Sequence, residues 1–469
     1  MNHKQIIRLI EAQGNEVNSK IIQDLIHEHE SAKNRQIRDY ENYQGDELPI
    51  DSRVFDDSTK INRKVANDFR GEIVDQSVGY LFGKEITYSL DKEVYTNEVN
   101  GEKKLNESAF KRDNDALRDF IITNNLPNLD LEAGKRQGIC GTTGRILYID
   151  KEGALRVMNV PPWEMIYIYD RSLDKMQYAL RYYLMKDVVD GKATDVIRVE
   201  WYDADKITFY IQKPGFGFVL DDTEPVNPLP HIFGRVPVVE IPNNDERMSD
   251  FKKVASLIDS YDRTLSDAQN EIEEFRQAYM MFIGAMIDEA TRLAARQSGA
   301  FNLPEEADVR YLTKQINDTF LENHKETLRD NIYRFSKTID INSDTFTGQG
   351  ASGEARKWIL TALEWRCGIK ALKFAHALDK MFQICQSVWE TRGLTLDWKN
   401  ISYEFDRNIP QELKLEAEIL EKLDGHLSKR TALKIFSPVS DVDAELEAIK
   451  QEREGSVNLD DIEDDEDEE

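Results

Sequence analysis

The stretch from Ser249 to Met280, "SDFKKVASLIDSYDRTLSDAQNEIEEFRQAYM", sets Phe251, Val254, Ile258, Tyr261, Leu265, Ala268, Ile272, Phe275 and Tyr279 at alternating spacings of three and four. Such a seam, held over four heptads, reads as one long helix. It fits an ordinary amphipathic core helix, and equally a helix packed against copies of itself. Its polar side is acidic. Between Asp259 and Glu274 stand six carboxylates (Asp259, Asp262, Asp267, Glu271, Glu273 and Glu274) against one base, Arg263.

Downstream, a shorter mixed segment at 282–312 contains "GAFNLPEEADVRYL" and leads to a second helix at about 316–338. Ile316, Phe320, Leu328, Ile332 and Phe335 make one face of it; Glu322, Glu326, Arg329, Asp330, Tyr333 and Lys337 make the other. Then comes "TFTGQGASGEARKWIL", Thr345 to Leu360, with the letter order Gly348-x-Gly350-x-x-Gly353 of a dinucleotide fingerprint. That fingerprint needs a buried strand before it and an acid about 20 residues on. Here a helix end, "FSKTIDINSDTF", precedes the glycines, and no acid follows "KALKFAHAL" until Asp379. The stretch therefore reads as a polar, glycine-rich loop joining two antiparallel helices. The pattern from Gly353 to Thr391 is apolar nearly all the way round, which predicts a long helix buried on most sides.

Upstream of the seam, residues 3–44 read as helical and polar, stopped by Gly45 and Pro49. A helix with Val65, Phe69 and Ile73 on one face follows, then a short strand from Ile86 to Leu90, a polar insertion at 91–105, and helices near 107–124 and 129–139. From "RILYID" to "VPVVEIP" the alternation and the β-branched and aromatic content predict strands of one antiparallel sheet module. After the long apolar helix come strand-like "ISYEF" and helices at about 411–424, 428–436 and 440–453.

With 469 residues the chain suits about three domains. Lys and Arg number 61 against 88 Asp and Glu, a net charge of −27, and nine of the ten residues from Asp460 to Glu469 are acidic, which predicts a disordered tail. Overall acidity argues against a protein that grips nucleic acid, because gripping neutralises phosphates with Lys and Arg; a protein that lets nucleic acid slide past is compatible with it. No apolar run reaches the roughly 18 residues of a membrane span, and "MNHKQIIRLIEAQ" carries no signal-peptide pattern, so the chain reads as soluble, without membrane contact. Cys140, Cys367 and Cys385 sit in no CxxC or Cys/His cluster and read as reduced, buried thiols suited to a cytoplasm. "GYLFGKE" at 79–85 falls one residue short of a phosphate loop and has Glu85 where Ser or Thr belongs. His27 and His29 point to different faces, and no GxSxG or HExxH occurs. Neither catalysis, nor a metal, nor a cofactor is expected.

The order of features resembles the portal proteins of tailed bacteriophages, in the branch related to Gram-positive siphophages. The resemblance covers roughly residues 35–425. It rests on "NYQG", "NRKVANDFRGEIVDQSVGYLFG", "FGRVPVVEIPNN", "SDFKKVASLIDSYDRTLSDAQNEIEEF", "VRYLTKQI", "ENHKETLRDNIYRFSKTIDI" and "FTGQGASGEARKWIL".

It implies an α+β subunit of a ring, usually of twelve copies, at one capsid vertex, through which double-stranded DNA is packaged and ejected. It further implies an N-terminal region and α/β wing (1–248), a first stem helix (249–280), a clip (281–315), a second stem helix (316–340), a tunnel loop (341–353), a wing-spine helix and strand (354–410), crown helices (411–456) and an acidic tail (457–469). The channel charges would be Asp259, Asp262, Asp267, Glu271, Glu274, Glu322, Glu326, Arg329 and Lys337. The tunnel loop would be Asp344, Thr345, Phe346, Thr347, Gly348, Gln349, Gly350, Ala351, Ser352 and Gly353, and the clip would dock through Arg292, Arg296, Phe301, Glu305 and Glu306. The implied partners are further copies of the chain, the terminase large subunit, the head–tail adaptor, the major capsid and scaffolding proteins, and duplex DNA as passing cargo, in the virion and, during assembly, the host cytoplasm. Two other readings of the chain are a cytosolic nucleotide-binding enzyme using the glycine loop, and a coiled-coil scaffold without DNA traffic.

Overall fold

The structure is a computed structural model and describes residues 3–12, 17–57, 60–99, 102–189, 192–213, 215–276, 280–299, 306–311, 318–343, 358, 360–408, 413–423, 425–436, 439, 442 and 445–452. The polar N-terminal pattern is two helices rather than one. Helix α1 (His3–Ala12) is followed by α2 (Ser19–Gln44), because Asn18 leaves helical geometry and its side chain accepts the Ile21 amide at 2.9 Å. An Asn in that position satisfies one of the orphan donors of the first turn. Gly45 ends α2 at φ 82°, in the left-handed region where a side chain is disfavoured.

Helix α3 (Phe69–Phe82) leads to strand β1 (Thr87–Leu90); a two-stranded ribbon, β2 (Thr96–Val99) and β3 (Glu102–Leu105), precedes α4 (Glu107–Asn124) and α5 (Leu126–Cys140). The strand-rich stretch then contributes β4 (Thr142–Ile149), β5 (Leu155–Val160), β6 (Met165–Tyr169), β7 (Met176–Val189), β8 (Lys192–Tyr202), β9 (Lys206–Lys213), β10 (Gly217–Leu220), β11 (Leu229–Pro230) and β12 (Val238–Pro242). These form two antiparallel sheets, where one was expected. One runs β10-β9-β8-β7-β6 with β11 added to β9; the other runs β12-β4-β5. Alternation reveals strands but not their partners. The separate triple is drawn aside because β4 is buried along its first six residues, a pattern that demands cover on both faces.

The larger sheet is covered by α1 and α2: Ile6, Ile10, Ile22 and Leu25 pack against Leu180, Tyr182, Val199 and Trp201. The smaller sheet shares a core with α3, α4, α5 and the long helix α9 (Thr361–Thr391), in which Leu147, Phe374, Met381, Phe382 and Cys385 are sealed from solvent. Burying each such large side chain contributes about 1.5–3 kcal/mol. Arg145 of β4 lies in this core and donates to Asp130 of α5 at 2.6 Å and to Asn159 of β5 at 2.9 Å, so the charge is paired and hydrogen-bonded.

Between the sheets and α9 the chain extends as α6 (Ala255–Arg276), β13 (Met280–Ile283), α7 (Glu289–Ser298), β14 (Asp308–Tyr311) and α8 (Asp318–Ser336). Strand β15 (Ile401–Glu404) returns to pair with β1. All of this lies in one compact unit, Met1–Arg407; a second unit, Asn408–Glu469, contains the helices Leu413–Leu423 and Lys429–Ile435.

The expectation for α9 holds along its C-terminal half and not along its N-terminal half. Phe374 to Trp389 bury their apolar side chains, whereas Trp365, Ile369 and Leu372 stand in solvent. The three cysteines are free and buried. No described helix is long and apolar enough to cross a membrane.

Candidate functional site

The heptad seam divides into two parts. Phe251, Val254 and Ile258 enter a core with Phe69, Ile73 and Val78 of α3 and Ile332 of α8. The Phe69 ring stands edge-on to Tyr261 of α6 at 5.1 Å and to Tyr333 of α8 at 5.9 Å, wedging the two long helices together at one end. Toward the other end the cover runs out: Ile272 is 48% exposed and Phe320 of α8 is 69% exposed.

Beyond those ends, β13 and β14 pair antiparallel, Met280 with Tyr311 through Ile283 with Asp308, and carry α7 between them. Asp288 caps α7 by accepting the Thr291 amide at 2.9 Å, which fixes where the helix starts. Arg292 pairs with Glu289 at 3.4 Å on the surface, Arg296 lies on the same helix, and Glu306 is exposed just before β14. Phe301 and Glu305 lie outside the described residues, as do all ten of the expected loop residues from Asp344 to Gly353. What leads to that loop is α8 and a short turn, not a strand.

The carboxylates of α6 are not an open acidic stripe. Asp262 is buried and accepts from the Asn67 amide at 3.0 Å and its side chain at 2.8 Å; burial pushes its carboxyl up while those bonds and Arg70 oppose the shift. Asp259 takes the Arg70 guanidinium at 2.5 Å, and Asp267 takes that of Arg53. The strap formed by residues 49–57 and 60–68 continues along the helix. Ser266 accepts the Val65 amide at 3.0 Å, Asn270 accepts the Arg63 amide at 2.7 Å, and Glu273 accepts from the Arg63 side chain at 2.7 Å.

This is a matched ladder. Amides of alternate strap residues advance about 6.6–6.8 Å per step if extended, and side chains at every fourth helical position advance about 6 Å. Sequence reasoning missed it; the four-residue spacing of the polar positions Asp262, Ser266 and Asn270 along α6 is the one signal that could have hinted at it.

Of the remaining expected channel charges, Glu271 is half-buried and Glu274 and Glu326 are exposed. Glu322 pairs with Lys325 at 2.7 Å, and Arg329 lies 3.6 Å from Asp340. Lys337 is exposed at φ 60°, directly after α8. Among the described residues no cluster of His, Cys, Asp or Glu is placed to hold a metal ion.

The chain therefore presents a pair of long helices joined through a small strand–helix–strand insertion and rooted in an α/β body. A family model described as phage portal protein, SPP1 Gp6-like, matches residues 22–458. The portal protein of Bacillus phage SPP1 is 25% identical over 416 residues, 84% of this chain and 77% of that protein. The portal protein of Clostridium phage phiCD119 is 24% identical over 400 residues, 81% of this chain and 83% of that protein. A match that takes in both sheets, both long helices, the insertion and α9 places this chain in the SPP1 Gp6-like family of phage portal proteins.

Proposed function

We propose that the chain assembles with further copies into a closed ring at one capsid vertex, the channel through which double-stranded DNA enters and leaves the head. The observation that carries this reading is the uncovered far end of the long helices. Ile272 and Phe320 expose apolar surface that one chain does not bury, on helices whose near ends are firmly seated. Adjacent copies of the same helices would cover it, and a contact between unlike faces closes into a ring when its rotation allows.

In this reading α6 and α8 form the stem. With Asp259 held by Arg70 of α3 and Asp262 and Asp267 held by the strap, the exposed Glu274 and Glu326 are left to repel the phosphate backbone and keep DNA from sticking. The β13–α7–β14 insertion, with exposed Met281, Ile283, Met286 and Leu293, is the clip that docks the terminase motor and later the head–tail adaptor. Residues 341–353 are the loop that reaches the DNA, and assembly takes place in the host cytoplasm. Electron microscopy of the purified protein tests the reading: rings with a central hole are expected, and a stable monomer at micromolar concentration would sink it.

A further inference from the structure

The exposed side chains on the first half of α9 lie on one stripe. Trp365, Ile369 and Leu372 are spaced four and three apart and are 64%, 51% and 74% exposed, and Trp358, just ahead of the helix, is exposed as well. Side chains at that spacing share a helix face, so this is a contiguous apolar strip and not a scatter of single residues. At Ile369 the strip runs into an open cleft between the start of α6, the end of α8 and α9, lined also by Phe335, Lys253, Lys337 and Lys373.

The cleft is basic in a chain of net charge −27. Lys373 is taken by Asp245, and the deeper Lys370 and Arg366 are taken by Asp250. Lys253 and Lys337 have no ion-pair partner among the described residues, and Glu246 is the one lining carboxylate without one.

We infer that this strip and cleft receive a second copy of the chain, through a surface whose apolar side chains are edged by carboxylates. The inference rests on the ring proposed above and assigns one of its contacts to α9. Charge complementarity selects the occupant: the chain carries 88 acidic residues against 61 basic ones, so a neighbouring copy offers carboxylates in excess to Lys253 and Lys337. A DNA backbone would pair with the lysines but leave Trp365, Ile369 and Leu372 in water. A face that is apolar and basic does not complement itself, so the contact is between unlike surfaces, the kind that propagates around a ring.

The test compares the wild type with Leu372→Asp and with the double variant Lys253→Glu/Lys337→Glu by mass photometry across a concentration series. All three positions are exposed, so far-UV circular dichroism and thermal unfolding of the monomer should not change. Both variants should need at least tenfold more protein for half-assembly. A wild type that stays monomeric would overturn the ring and this contact together. Wild-type rings with unchanged assembly of both variants would overturn the contact alone. Variants that assemble normally but lose binding to a short DNA duplex would assign the face to DNA and likewise overturn it.

Discussion

Lys370 of α9 donates to the Asp250 carboxylate at 2.7 Å, with 2% and 3% of the two side chains exposed. Asp250 precedes α6, so this pair ties the root of the first long helix to the helix that spans the body. Arg366 reaches the same carboxylate at 2.7 Å, Ser77 of α3 donates to it at 2.9 Å, and Asn243 does so at 2.9 Å. Burial alone would raise the Asp250 carboxyl, but Arg366 and Lys370 outweigh it and hold the group well below the usual carboxylate range.

Removing this carboxylate should be costly. Asp250→Ala strands two buried cations, a loss of about 3–5 kcal/mol, read as a lower urea midpoint for the variant. The pH dependence follows from the depressed carboxyl. Its contribution is complete above the unfolded value of about 3.9 and is lost as pH falls from there toward the folded value. Acid unfolding of the wild type should therefore steepen below about pH 4, and Asp250→Asn should show a shallower slope there.

The strap ladder predicts a local effect. Ser266→Ala and Asn270→Ala each leave a strap amide, Val65 or Arg63, without its side-chain acceptor. Each should cost about 1–3 kcal/mol where the amide stays buried. Hydrogen exchange by NMR should show the Val65 amide losing protection in the first variant and the Arg63 amide in the second, with the amides of α9 unchanged. Equal loosening throughout the unit would mean that the ladder is not a local element.

The two long helices were legible because a heptad seam and an apolar face must be buried somewhere, whichever partner buries them. The strap was not, since Asp262, Ser266 and Asn270 look like solvent-facing residues until Arg63, Val65 and Asn67 are brought against them from some 200 residues away. The split into two sheets was hidden for the same reason: strand partners are set by distant contacts such as Ile146 opposite Val238. The exposed strip of Trp365, Ile369 and Leu372 was read as core because hydrophobicity alone does not distinguish a side chain buried by its own chain from one left for a partner.

His29 provides a second pH window. Its Nδ1 lies 2.9 Å from the Tyr182 hydroxyl, and burial, with Lys33 and Arg35 nearby, lowers its pKa to about 4. The unfolded chain takes up this proton near pH 6.5 and the folded chain does not, so stability attributable to neutral His29 is full above about 6.5 and falls as pH drops toward 4. An NMR titration should show the His29 ring unprotonated at pH 5. His29→Gln should flatten the stability profile between pH 6.5 and 4, and a profile identical to wild type would remove His29 as the cause.

The glycine-rich loop, whose residues lie outside those described, should act in DNA movement and not in assembly. Gly348 and Gly350 free the backbone from the limits a side chain imposes, including the φ > 0 region. In the proposed ring, identical loops around a helical duplex would need that freedom, because the two symmetries would not match and each loop would meet the DNA differently. Valine, branched at Cβ, is stiff and disfavours φ > 0. Gly348→Val/Gly350→Val should therefore leave the buried cores of α6 and α9 intact. The variant should form rings and enter procapsids at wild-type levels, and the DNA per particle, measured by a nuclease-protection assay, should fall severalfold. Failure to form rings would make the loop a structural joint between α8 and α9, and normal rings that package normally would show that its flexibility has no part in moving DNA.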